Sequence, residues 1–169
     1  AMMMKNIAPG IQRSFVSERF LDLPDTLWKR AREEARDLVR ETKFEAYASD
    51  LDPAMASLAA ENARRAGVGE IVKTFPKNAL ALESHGRRGT IVCNPPYGER
   101  MSEKEEVFRL YSAMGAHWKA LGSWQIYVIS SCPDFERLFR RRADKVRKLY
   151  NGMIKCDYYQ FFKNKRSSE

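Results

Sequence analysis

The chain has 169 residues, 44% of them hydrophobic, with a net charge of +8 and a pI near 9.5, which is one domain's worth of sequence with enough apolar material for a core. The basic balance suits a polyanionic partner such as RNA, through phosphate contacts, and it equally suits a merely soluble basic protein. Three widely spaced cysteines without a CxxC pair, two isolated histidines and no apolar run of spanning length argue against a disulfide framework, a metal site and a membrane helix, and point to buried thiols in a reducing cytosol.

In chain order, Ala1–Lys5 reads as the last turn of a helix, stopped by the breakers in Asn6-Ile7-Ala8-Pro9-Gly10. Residues 11–24 read as loop, anchored by Phe15 and Phe20. Asp25 is expected to cap a helix running to about Glu41. Its stripe of Trp28, Ala31, Ala35, Leu38 and Val39 is expected in the core, with Arg32 among the outward charges. Phe44–Asp50 reads as a strand ending in an acid. Asp52 then caps a helix with Pro53 at its first position and Gly67 just past its end. Asp50 lies where an acid can accept from ribose hydroxyls.

Glu70–Phe75 reads as the next strand, followed by the loop Pro76-Lys77-Asn78-Ala79. Read from the residues alone, Asn78 is an ordinary loop amide. The loop His85–Gly89 can touch phosphate. Ser102-x-x-Glu105 reads as a capping box opening a helix with Val107, Leu110, Tyr111, Met114, Trp118 and Leu121 on its core stripe. Gly122-Ser123 ends it, Trp124–Ser130 reads as a strong strand, and Pro133-Asp134 starts a short helix holding Phe135, Leu138 and Phe139. The basic cluster Arg137–Lys148 is read equally as an RNA-backbone footprint or a solvated face. Val146–Tyr150 and Ile154–Phe161 flank Asn151-Gly152, the strongest short hairpin signal. The tail Lys163–Glu169 is polar and expected to fray.

The stretch that organises the rest is Thr90–Arg100, TIVCNPPYGER. The β-branched run reads as a buried strand. Two prolines cannot donate to a ladder, so it stops there, and Pro95 keeps Asn94 extended at the strand's carboxyl end. In an open α/β sheet that edge binds ligands. Asn94 Oδ1 and the Pro95 carbonyl can each accept a hydrogen of an exocyclic base amine. That draws the nitrogen toward tetrahedral geometry and frees its lone pair for attack on an electrophilic methyl. Tyr97 can stack on the base, and Pro96 sets the turn. Arg100 can contact substrate phosphate or pair with Glu99.

Asn94-Pro95-Pro96-Tyr97 resembles the fourth motif of the S-adenosylmethionine-dependent amino-methyltransferases. The longer NPPYGER is similar to bacterial methyltransferases acting on guanine N2 of 23S rRNA. Two further segments carry the resemblance: Ala1-Met2 with Asn6–Gly10, and Arg147–Ile154 as a closing edge hairpin. The resemblance implies a Rossmann-like, class I α/β three-layer sandwich, mainly parallel, with an antiparallel C-terminal hairpin. It implies S-adenosylmethionine as cofactor, with Asp50, Leu51, Asn78, Ala79 and Asn94 on the cofactor side. It assigns Asn94, Pro95, Pro96 and Tyr97 to catalysis, and Tyr97 and Arg100 to the substrate, an RNA.

The sequence departs from that family in carrying no glycine-rich first motif, and Asn78 stands where an Asp is usual. The expectation is a partial catalytic domain, residues 1–169, without the first strand and helix or an upstream RNA-binding module. The isolated chain is then expected to bind the cofactor weakly or not at all. DNA adenine methyltransferases and release-factor glutamine methyltransferases share the tetrapeptide, and a non-catalytic RNA-binding remnant is the reading from a different class.

Overall fold

The computed structural model describes residues 1–20, 22–84, 88–98 and 101–162, without the side chains of residues 25 and 101–103. The expectations for His85–Arg87, Arg100, the Ser102 cap and the tail therefore fall outside the described residues or side chains. The chain divides into two compact units, Ala1–Asn78 and Ala79–Glu169.

The first unit opens with α1 (Met2–Lys5), stopped by Asn6 in the left-handed conformation at φ 56°. A 3-10 turn, Val16–Arg19, interrupts the expected loop. Phe15 stacks on Trp28 with ring centroids 5.4 Å apart, but Phe20 is exposed and anchors nothing in the core. Helix α2 (Asp25–Asp37) has Pro24, not Asp25, as its N-cap, and it ends four residues before Glu41. Its end is set from α1: Asn6 Nδ2 donates to the Leu38 carbonyl at 2.9 Å, and the Arg40 N–H donates to the Lys5 carbonyl at 2.8 Å. The first bond takes the Leu38 carbonyl and the second takes the Arg40 N–H, both of which a further turn of α2 would have used. The α2 stripe is not core. Ala31, Leu38 and Val39 are exposed, and Arg32 turns inward to bond the Arg13 carbonyl and Glu18 while lying over the Trp28 ring. Among the described residues of this unit only Ala56, Ala63 and Val68 are buried apolar residues, so the stripe has no apolar cluster among them to join.

Strand β1 (Ala46–Asp50) pairs in parallel with β2 (Val72–Pro76), and Asp50 faces Pro76 across the last register position. Between them runs α3 (Pro53–Arg65). Its Asp52 cap accepts the Ala54 N–H at 2.8 Å, and Gly67 follows at φ +72°. Both features are as the sequence predicts.

In the second unit a 3-10 turn, Ala79–Ala81, precedes β3 (Thr90–Cys93). Then come α4 (Met101–Lys119), β4 (Gln125–Ser130), α5 (Phe135–Phe139), β5 (Lys145–Asn151) and β6 (Ile154–Phe161). The sheet order is β3-β4-β6-β5, with β3 and β4 parallel and the β4–β6 and β5–β6 pairs antiparallel. Val107, Tyr111, Met114 and Trp118 of α4 and Phe135 and Phe139 of α5 bury one sheet face, made by Ile91, Ile126, Val128, Tyr159 and Phe161. The helices touch at Gly115, where any side chain would collide with the Phe139 carbonyl.

β3 is thus buried on one face only. Successive strand residues point to opposite faces, and Val92 is 73% exposed while Ile91 is buried. Tyr127, its register partner, stacks on Tyr158 on that second face. Edge strand β5 is exposed along its whole length. Lys145, Arg147 and Lys148 lie on it, and charges there discourage pairing with another sheet edge. Of the other basic residues in the cluster, Arg137 pairs with Asp134 at 3.1 Å and Arg141 donates to the Phe162 carbonyl at 2.7 Å.

Candidate active site

The motif leaves β3 at its carboxyl end. Asn94 is exposed, Pro95 buried, Pro96 exposed and Tyr97 half-buried. Gly98 follows at φ +69°, a conformation that side chains other than glycine adopt at a cost. A Cβ there would also press on Lys104 and Val107 of α4, at 3.3 Å from each. The glycine lets the chain turn from the prolines into the helix.

Two hydrogen-bond chains hold the motif. Beneath it, Tyr111 on α4 is fully buried, and its hydroxyl donates to the Pro96 carbonyl at 2.7 Å. That hydroxyl lies 3.0 Å from Ser130 Oγ at the end of β4, and Ser130 Oγ accepts the Cys132 N–H at 3.1 Å. A carbonyl can only accept, so the Tyr111 proton is committed to Pro96 and Ser130 must donate to Tyr111. Every proton in this chain is assigned. Burial pushes the Tyr111 hydroxyl up to about 12, so it stays protonated and able to donate at neutral pH. Burial likewise holds the Cys93 thiol, one residue before the motif, up to about 11. That keeps it neutral and unreactive as a nucleophile.

Above the prolines, Tyr97 Oη donates to Asn94 Oδ1 at 2.7 Å and accepts from Asn151 Nδ2 at 3.3 Å. The structure thus joins Asn94, Pro96 and Tyr97 to Tyr111, Ser130 and Asn151. Sequence reasoning missed the last three. Tyr111 was expected in the core stripe, and there it is, but its hydroxyl carries a second role. Asn151 was expected to form the turn itself. Instead it remains paired with Ile154, and Gly152 and Met153 make the two-residue loop. Gly152 alone has positive φ, +61°, the pattern of a type II′ turn. The Asn151 side chain is thereby available to Tyr97.

In the first unit, Asp50 Oδ1 accepts the Asp52 N–H at 2.9 Å. A carboxylate has about four acceptor positions, so one such bond leaves acceptor positions to which hydroxyls, such as those of a ribose, can donate. Leu51 beside it is 73% exposed. Asn78 follows β2, and its neighbour Ala79 gives its carbonyl to the Trp118 indole N–H at 3.1 Å. No cluster of metal ligands occurs among the described residues, and none of their helices is long and apolar enough to cross a membrane.

The chain is 39% identical over 167 residues to the Bacillus subtilis protein named "Putative RNA methyltransferase YpsC", covering 98% of this chain and 43% of that protein. It is 35% identical to Ribosomal RNA large subunit methyltransferase K/L of Shewanella loihica, covering 94% of this chain and 23% of that one. The crystal structure of SMU.472, described as "a putative methyltransferase complexed with SAH", superposes on 97% of this chain and 44% of its own, with a TM-score of 0.90 and 35% identity. That match bears out the expected α/β fold, a mostly parallel sheet with antiparallel strands added. The chain spans less than half the length of each of these proteins. A family model described as "RMKL-like, methyltransferase domain" matches residues 1–160, and the chain belongs to that family.

Proposed function

We propose that this chain is the partial catalytic domain of an enzyme that methylates an exocyclic amine of an RNA base, guanine N2 in 23S rRNA. The observation that carries the reading is the placement of Asn94. Its amide is exposed at the end of a parallel strand, held by a neighbouring tyrosine, next to a proline turn tied down by Tyr111. Family membership and the names of the relatives support the reaction class and the RNA substrate. The SAH bound to SMU.472 supports the cofactor.

S-adenosylmethionine would supply an electrophilic methyl group. Asp50, Leu51, Asn78 and Ala79 are the residues proposed to hold it. Asn94 Oδ1 and the Pro95 carbonyl accept the two amine hydrogens, and this interaction strengthens as positive charge develops on nitrogen, so it lowers the barrier and does more than bind. Tyr97 holds the plane of a base drawn out of its stack. Pro96 fixes the corner. No strong base is needed, because the product ammonium loses its proton readily to water.

The test is methyl transfer from labelled cofactor by the gene product that carries this sequence, given unmodified ribosomal RNA and, in parallel, duplex DNA. Label in guanine of the RNA is the expected result. Asn94→Ala should lower turnover by about 10²- to 10³-fold, the usual effect of removing one group that stabilises a developing charge, with little change in melting temperature. Label in DNA adenine alone would replace the RNA reading with the DNA one. Full turnover by Asn94→Ala would remove the role given to this residue.

A further inference from the structure

We infer that Asn151, on the β5–β6 hairpin, is a positioning residue of the Asn94–Tyr97 site, one that sets the direction in which the Tyr97 hydroxyl gives its proton. This rests on the proposed role of Asn94 as an acceptor for the base amine.

An amide nitrogen only donates, and Asn151 Nδ2 lies 3.3 Å from Tyr97 Oη. The hydroxyl therefore accepts there, and its single proton is turned to Asn94 Oδ1 at 2.7 Å. That bond fixes which end of the Asn94 amide faces Tyr97. The carbonyl oxygen has two lone pairs, so one is engaged and the other is held in a defined direction for an amine hydrogen. Without Asn151 the hydroxyl can rotate its proton toward water, and the Asn94 amide can turn about its last torsion, which is a soft one.

The hairpin is built for this. Because the loop is Gly152-Met153, Asn151 stays in the ladder opposite Ile154, and its side-chain amide donates to Tyr97. An edge hairpin remote in sequence is thus tied to the motif across 54 positions. The hydrogen bond makes the hairpin part of the site and not only the border of the sheet.

Asn151→Asp is the sharpest probe. It keeps the size of the side chain, but a carboxylate only accepts, so it draws the Tyr97 proton away from Asn94. In the full gene product Asn151→Asp should lower kcat about tenfold with a smaller change in KM, and Asn151→Ala should lower it several-fold, in line with one modest hydrogen bond. In a Tyr97→Phe background neither substitution should lower kcat further, since the hydroxyl they act through is gone. A second measurement needs no catalysis. In nitrogen-15 spectra of the full gene product, Tyr97→Phe should shift the side-chain amide signals of both Asn94 and Asn151. Unmoved amide signals, parental turnover by Asn151→Asp, or an undiminished loss in the Tyr97→Phe background would each overturn the inference. If no methyl transfer occurs at all, the proposed function fails, while the amide signals still decide whether Asn151 sets the hydroxyl.

Discussion

The two units of this chain are held together differently. Ala79–Glu169 contains one contiguous apolar cluster, in which three strands meet two helices around Phe135, Phe139, Tyr159 and Phe161. Among its described residues, Ala1–Asn78 has three buried apolar ones, two of them alanines. Its order comes from caps, turns and short polar links: Asp52 on α3, Asn6 on the end of α2, Arg32 across Glu18. It even leaves the Trp28 indole N–H buried without a partner among the described residues, a cost of about 1–3 kcal/mol for a lost hydrogen bond. The contrast teaches where a hydrophobic pattern can be trusted. Periodicity predicted burial correctly in α4, where a cluster exists to receive the stripe. It failed in α2, where no such cluster occurs among the described residues.

That difference can be broken by substitution. The largest effect is expected from Phe135→Ala. Its ring is fully buried and packs 5.0 Å from Tyr111, 5.1 Å from Phe139 and 4.6 Å from Tyr159, centroid to centroid. Truncation should cost about 3–5 kcal/mol, read as a lower midpoint in urea. Tyr111→Phe should come next, at about 1–3 kcal/mol, because it strands the Pro96 carbonyl and the Ser130 hydroxyl while leaving the ring in place. Asp52→Ala should cost about 1 kcal/mol, the usual price of a lost helix cap. An Asp52→Ala loss as large as that of Phe135→Ala would erase the distinction drawn between the units. A Tyr111→Phe protein as stable as the parent would mean that the buried chain beneath the prolines adds nothing to the fold.

Alkaline pH gives a smaller, graded test of the second unit. The Cys93 thiol and the Tyr111 hydroxyl are both raised by burial, from about 9 and 10 to about 11 and 12. The unfolded chain therefore loses these protons first. Their contribution is complete below pH 9 and should be lost progressively as pH rises through 9 to 12. Cys93→Ser should flatten the lower part of that decline. A decline of unchanged shape would assign it to other groups.

Much of the site was legible in the primary sequence. Two prolines after a β-branched run end a strand whatever surrounds them, and Asp-Pro before an alanine-rich segment starts a helix by local geometry alone. Asn94, Tyr97, Asp50 and Asp52 could therefore be placed at element ends from their neighbours in the chain. The hairpin was equally legible, although its loop lies one residue further on than the Asn-Gly pair suggests. A one-residue shift in a turn is set by strand pairing, and pairing depends on residues far away.

By itself, then, the sequence determined what short-range sterics and hydrogen bonding decide: the corner at Asn94–Tyr97, the α3 cap, the order of strands and helices. Tertiary structure alone decided what those corners touch. Tyr111 and Asn151 are 15 and 54 positions from their motif partners, and no local periodicity encodes which hydroxyl meets which carbonyl. Tertiary contact also decided which apolar stripes are covered, because burial belongs to a pair of surfaces and a single helix carries only one of them.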